Sequence, residues 1–148
     1  MKFVKTFTME TANKVLTVET TVNAPVARVW EYWNEPAHVT KWAFAIPEWH
    51  APRAENDLRT GGRFMTRMEA RDGSMGFDFG GEYTAVTKEK HIAYTMDDGR
   101  KVTIDFVADG DKTRIIEAFE PENENPLEMQ QGGWQSIMNN FKQYAEGN

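Results

Sequence analysis

The stretch NPLEMQQGGWQSIMNNFKQYA, Asn125–Ala145, decides the fold. Asn125 is a helix-capping residue type, Pro126 suits the first helical position, and Glu128 completes an Asn-x-x-Glu capping box. Leu127, Trp134, Ile137, Met138, Phe141 and Ala145 then recur at the i, i+3, i+4, i+7 spacing of one helical face. The spacing predicts a single long terminal helix with a wide aromatic stripe. Upstream of it, beyond a helical region near residue 30, the chain reads as successive strands. A stripe this wide must be buried against the sheet those strands form. The helix then either completes a solid core or roofs a ligand cavity, and that choice is the functional question.

Working back from the helix, Ile115, Glu117 and Phe119 alternate in a strand that Pro121 ends. Val102, Ile104 and Phe106 alternate before Asp109-Gly110-Asp111, and Ile92, Tyr94 and Met96 before Asp97-Asp98-Gly99. Gly61-Gly62 opens a strand through Arg71, Asp72–Gly76 turns the chain, and a return strand runs to about Val86. Lys14–Val22 reads as the first strand, with Leu16, Val18, Thr20 and Val22 in phase. Asn23-Ala24-Pro25 starts a helix through Asn34, with Val26, Val29, Trp30 and Trp33 on one face. A second short helix follows from Pro36 to Trp42. The segment Ala43–Leu58, with Pro47 and Pro52 among scattered aromatics, reads as an ordered loop. The expected architecture is α+β: two short helices after the first strand, and a curved antiparallel sheet of about six strands wrapped around the C-terminal helix. Residues 1–148 are read as one domain without repeats or linkers.

Composition narrows the function classes. Five Trp and nine Phe in 148 residues predict an aromatic interior, and eight Met add adaptable apolar surface. Seventeen basic against twenty-three acidic residues give a net charge of −6 without a basic run, which argues against nucleic acid as a partner. The absence of cysteine excludes disulfides, thiolate metal sites and a cysteine nucleophile. Met1–Glu10 lacks the apolar run of a secretion signal, and no stretch approaches the ~18 apolar residues of a membrane span. The expected location is the cytoplasm. His38, His50 and His91 have no metal-ligand spacing, so no metal or cofactor is expected. P-loop, dinucleotide-binding, His-Glu-x-x-His and Gly-x-Ser-x-Gly motifs do not occur.

Several segments together resemble a known family. They are Val22-Asn23-Ala24-Pro25 leading to Val29-Trp30, Pro36 to Trp42, and Leu58-Arg59-Thr60-Gly61-Gly62-Arg63-Phe64. Gly81-Glu82-Tyr83, Ile92-Ala93-Tyr94 and Gly132-Gly133-Trp134 complete the set. In this order they resemble the helix-grip, START-like (SRPBCC) superfamily that includes the birch-pollen allergen. Within it they are most similar to the branch named for the activator of heat-shock-protein-90 ATPase, from about Val15 to Tyr144. The resemblance implies a helix-grip fold with a cavity between sheet and terminal helix. Members include lipid and hormone carriers, polyketide cyclases and co-chaperone domains. The activator itself carries a separate N-terminal chaperone-binding domain, for which 148 residues leave no room.

Glu117 is the most informative polar residue, because it shares a strand face with Ile115 and Phe119. Buried among apolar groups, a carboxyl needs a partner or keeps its proton. It is read as a general base or a polar ligand anchor, against a strand-end carboxylate reaching solvent. Arg67 and Glu69 alternate with Phe64, Met68 and Ala70, which reads as a polar outer face. A bulge at Gly80-Gly81 is the alternative that would turn Arg67 and Glu69 inward as a polar cluster near Glu117, with Arg67 as a second polar ligand anchor. Trp42, Phe44, Trp49, His50 and Arg53 are read as the rim and gate of the mouth. Gln130 and Gln131 are expected to face a ligand or solvent, and Gly132-Gly133 to allow close approach of the helix to the sheet or to the loop around Trp49. Phe64, Phe79, Tyr94, Met96, Phe106, Phe119, Trp134, Ile137 and Met138 are expected to line the cavity.

Three functions follow as expectations. The first is binding of a small hydrophobic or amphipathic molecule, by a monomer or homodimer with no catalytic residue assigned. The second is a cyclase or dehydratase using Glu117 or His50 as acid or base. The third is a chaperone-interaction module presenting an apolar patch on the sheet exterior.

Overall fold

Seven strands form one antiparallel sheet in the order β1-β7-β6-β5-β4-β3-β2. The computed structural model describes residues 14–148, and Met1–Glu10, read above for a secretion signal, lies outside them. The strands are β1 (Leu16–Val22), β2 (Trp49–Asn56), β3 (Arg63–Ala70), β4 (Gly76–Thr87), β5 (His91–Met96), β6 (Lys101–Asp109) and β7 (Lys112–Phe119). The helices are α1 (Val26–Asn34), α2 (Pro36–Trp42) and α3 (Leu127–Gly147). From β2 to β7 each strand pairs with its successor, and β1 closes the series against β7. The α+β arrangement expected from the pattern, which the resemblance implies is a helix-grip fold, is the one the chain adopts, with seven strands where about six are expected.

One strand escapes the sequence reading. Within the presumed loop Ala43–Leu58, Trp49–Asn56 is β2, paired antiparallel with β3. Its register shifts between His50 and Arg53, around Pro52, which has no N–H to give a ladder. The bulge breaks the alternation that marks a half-buried strand. An edge position makes the proline tolerable. The other irregularity also differs from expectation, because the shift in β4 falls between Tyr83 and Ala85 and not at Gly80-Gly81. The glycine at 81 answers a close approach instead: a Cβ there would lie 2.4 Å from the Thr95 carbonyl oxygen.

The concave face collects the inward residues of every strand. Val18, Val22, Ile92, Val102, Ile104, Ile115 and Phe119 are almost wholly buried, together with Val29 of α1 and Met138, Phe141 and Ala145 of α3. Trp30 and Trp33 of α1 meet Phe106 edge-on at 5.2 and 5.9 Å between centroids. Such pairs add about 0.5–1.5 kcal/mol each beyond the area they bury. One part of the aromatic interior expected from composition lies where α1, α2 and α3 converge, with Trp33, Trp42 and Phe141 in mutual contact.

Helix α3 starts one residue later than the capping box requires. Pro126 is extended (φ −56°, ψ 146°) and no side chain caps the helix. Asn125 instead donates from Nδ2 to the Glu122 carboxylate at 3.2 Å. Buried Gln130 ties the approach segment down, donating from Nε2 to the carbonyls of Glu122 and Asn125 at 2.9 and 2.8 Å. Along its length α3 runs beside β1, the sheet edge. Gln131, Gln135 and Lys142 donate to the carbonyls of Thr17, Glu19 and Thr21 at 3.1, 3.1 and 2.6 Å. These bonds occupy edge groups that would otherwise template another strand. Among the described residues no helix is long and apolar enough to cross a membrane.

Candidate functional site

The inward rows of the sheet follow from the register. Thr66 stands beside Phe79, Phe64 beside Gly81 and Met96, and Tyr83 beside Tyr94 and Val102. Ile92, Ile104, Glu117 and Val18 make the next row. Between these rows and the helices lies a partly enclosed cavity of about 260 Å³. Trp33, Val39 and Trp42 of α1 and α2, Phe64, Thr66, Met68, Phe77, Phe79, Tyr83, Ile92, Tyr94 and Ile104 of the sheet, and Trp134 and Ile137 of α3 bound it. The volume sits just under the ~300–1,000 Å³ usual for small-molecule sites, and the walls are mostly apolar, as such sites are.

Glu117, Tyr94, Tyr83, Asn34, Asn56, Glu55, Thr66 and Arg100 are the polar residues bordering the cavity. Glu117 borders it and is 7% exposed. Among the described residues nothing hydrogen-bonds its carboxyl, and no buried polar side-chain atom is both sealed and unpartnered. The carboxyl oxygens therefore open onto the cavity. Burial alone pushes its pKa up to about 8, so it is mostly protonated at pH 7. The Tyr94 phenol borders the same space and is pushed well up, first by burial and then by the neighbouring Glu117. At the α1 end, Tyr83 donates its hydroxyl to Asn56 Oδ1 at 2.6 Å, and Asn56 donates from Nδ2 to the Asn34 carbonyl at 2.8 Å. Asn34 in turn donates to the Trp30 carbonyl at 2.9 Å. Arg100 also borders the cavity, but its guanidinium donates to Asp98 Oδ2 at 2.9 Å and to the Glu120 carbonyl at 3.2 Å.

Of the residues expected at the site, Trp42, Phe64, Phe79, Tyr94, Glu117, Trp134 and Ile137 line the cavity. Met96, Phe106, Phe119 and Met138 lie in the core behind its walls, Phe119 directly against Trp134. Arg67 takes the outer-face position its alternation predicts, not the inward alternative, and His50 and Arg53, expected at the rim, share that face. Arg67 is on the outer face, donating to Glu69 at 3.0 Å and Asp78 at 3.3 Å, with His50 Nε2 3.3 Å from Glu69. Arg53 stands opposite Arg67 in the ladder, on that same outer face, and is exposed. The pairing of β2 with β3 carries His50 and Arg53 away from the cavity, which a loop reading of this segment does not anticipate. Trp49 is half-buried with its ring 6.1 Å from Phe77, itself 47% exposed at the cavity edge. Phe44 is half-buried beyond α2, its carbonyl accepting from Asn140 at 3.4 Å. Gln131 faces β1 rather than the cavity. A Cβ on Gly132 or Gly133 would meet nothing within 4 Å, so close approach to the sheet is not their role.

Sequence reasoning passed over Asn34, Asn56, Thr66 and Arg100 as lining residues. Thr66 shares the alternation of Phe64 and Met68, which was signal enough. Asn34 falls one turn after Trp30 on the buried face of α1, a helical-spacing signal, whereas Asn56 carries none because its place depends on β2. Among the described residues no three His, Asp or Glu side chains converge as metal ligands.

The family model described as Activator of Hsp90 ATPase homolog 1-like protein matches residues 23–146. Among solved structures, the AHSA1-like protein from Aeromonas hydrophila superposes with a TM-score of 0.85 at 37% identity, over 90% of this chain and 93% of that one. Chr148 from Cytophaga hutchinsonii is 58% identical over 89% and 92% of the two chains, with a TM-score of 0.77. Protein NE0264 from Nitrosomonas europaea shares the fold at 23% identity, a TM-score of 0.78 and coverage of 92% and 96%. No curated protein matches the sequence.

Proposed function

The chain belongs to the Activator of Hsp90 ATPase homolog 1-like family, and on that premise we propose that it binds a small hydrophobic or amphipathic molecule between its sheet and α3. The observation that carries this reading is a cavity of about 260 Å³ walled by aromatic rings, with the buried carboxyl of Glu117 at its wall and no hydrogen-bond partner for that carboxyl among the described residues. Apolar walls supply most of the binding free energy, and the few polar groups fix orientation. Glu117, Tyr94 and the Tyr83–Asn56 pair are the groups available for that. Native mass spectrometry of the purified protein, titrated with naphthylethanol, tests the reading. A retained small molecule, or a saturable one-to-one adduct lost in Phe79→Asp, is the expected result. No adduct at any concentration would overturn it.

One observation favours a second reading, a cyclase- or dehydratase-type enzyme. A carboxyl held near pH 8 inside a cavity is suited to general acid–base work close to neutrality. Turnover that Glu117→Gln abolishes without unfolding the protein would establish it. The co-chaperone reading has less support, because the outer face of β3 and β4 carries Arg67, Glu69 and Asp78 in ion pairs rather than an apolar patch.

A further inference from the structure

We propose that the molecule this cavity takes is a hydrophobic amine, held as its ammonium ion against the Glu117 carboxylate with its apolar body among Phe64, Phe79, Tyr94 and Trp134. The inference rests on the small-molecule reading above and adds the ligand's charge and polar group. Three observations point the same way. Glu117 is the one carboxyl buried among the described residues, and no described side chain bonds it. Once ionised there, that carboxyl calls for a cation, and the described residues supply none. Among the described residues the single basic group at the wall, Arg100, already serves Asp98 and the Glu120 carbonyl.

The walls fit a cation as well. Phe64 and Tyr94 meet edge to face at 4.7 Å, and Phe79 lies 6.0 Å from Trp134, so ring faces and edges surround one space. Aromatic faces attract a desolvated ammonium within about 6 Å. A neutral ligand bearing a carbonyl or hydroxyl needs only neutral donors, and Tyr94 already offers one at this wall. An anion would meet the Glu117 carboxyl and find Arg100 engaged.

Proton balance makes the idea measurable. The carboxyl of Glu117 is mostly protonated at pH 7, because burial holds it near pH 8. An ammonium ion entering beside it displaces that proton to solvent: R–NH₃⁺ plus Glu117–COOH gives the R–NH₃⁺···⁻OOC–Glu117 pair plus H⁺. Tyr94, pushed further up, stays a phenol throughout. Affinity for an amine should therefore rise about tenfold per pH unit below pH 8.

The test compares naphthylethylamine, naphthylethanol and naphthylacetate by calorimetry at pH 6, 7 and 8, in buffers of differing ionisation heat. The expected result is tightest binding of the amine, release of about one proton at pH 7, and the tenfold rise from pH 6 to 7. Glu117→Gln, which copies the shape of the protonated acid, should bring the amine down to the affinity of the alcohol and remove its pH dependence. Equal or tighter binding of the alcohol or the acetate, or amine binding without proton release, would overturn the proposal while leaving the small-molecule reading intact. If none of the three binds, the cavity reading falls and this inference with it.

Discussion

The indole of Trp134 lies flat on the ring of Phe119, the centroids 3.9 Å apart and the planes 5° from parallel. This one stack joins α3 to β7 two residues from Glu117, so the roof of the cavity and its carboxyl are held by neighbouring positions of one strand. Trp134→Ala removes a large, half-buried ring and is expected to lower the unfolding free energy by about 3 kcal/mol. The exposed Met129, one turn earlier on the same helix, gives the control: Met129→Ala should stay within about 0.5 kcal/mol of the parent. Urea titration of both variants decides the matter. Equal costs would mean that Trp134 roofs nothing.

Glu117 ties stability to pH in the direction opposite to most carboxyls. Its pKa rises from 4.5 to about 8 on folding because burial penalises the charged form. Below pH 4.5 the group is protonated in both states, and its neutral burial costs nothing extra. Between 4.5 and 8 the unfolded chain ionises while the folded chain does not, so stability falls as pH rises, then levels off. At 1.36 kcal/mol per unit across that interval the full loss is about 5 kcal/mol. Glu117→Gln should flatten this dependence and leave the variant more stable than the parent at pH 8.5. Unfolding free energies of both proteins at pH 5, 7 and 8.5 check it, and parallel curves would show that Glu117 is solvated.

Why these two residues were legible and others were not has a physical cause. Trp134 and Glu117 sit in strong periodic signals, one at the helical spacing of α3 and the other in the strict alternation of β7. The period by itself fixes which way each points. Strand β2 carries no such signal, since the bulge around Pro52 breaks its alternation. His50 and Arg53, expected at the mouth, therefore point outward instead, and Asn56, which anchors Tyr83, goes unread. The helix start failed by one residue for a related reason. Gln130, which reaches back to Glu122 and Asn125, replaces the local capping box with bonds that span the approach segment.

The outward placement of Arg67 has its own consequence. Arg67, Glu69, Asp78 and His50 form a solvent-facing cluster, in which Arg67 holds the Glu69 carboxyl below its usual range. Arg67→Ala should let the Glu69 pKa climb back toward the ordinary carboxylate value, an effect that added salt reduces in the parent. Binding of naphthylethanol should be untouched. Carboxyl titration by NMR and the binding isotherm answer both points together. A weakened isotherm would place Arg67 at the cavity after all.

Gly132 and Gly133 interrupt α3 immediately before Trp134, with helical neighbours on both sides. Neither has the positive φ that would require glycine, and a Cβ on either would meet nothing within 4 Å. Alanine is better than glycine in a helix interior by about 1 kcal/mol, because glycine loses more backbone freedom on folding. Gly132→Ala is therefore expected to stabilise the protein by about 1 kcal/mol and raise the melting temperature by roughly 3 °C. Gly133→Ala should do the same, and the pair together should add, as neither methyl group meets a neighbour. If the gain appears while naphthylethanol associates and dissociates more slowly, the glycines loosen the first turns of α3 and ease entry beneath Trp134. A gain with unchanged rates would leave their role at helix stability alone. A loss of stability would show that these positions are tighter than their surroundings indicate. Stopped-flow fluorescence of Trp134, alongside thermal melts of the three variants, separates these outcomes.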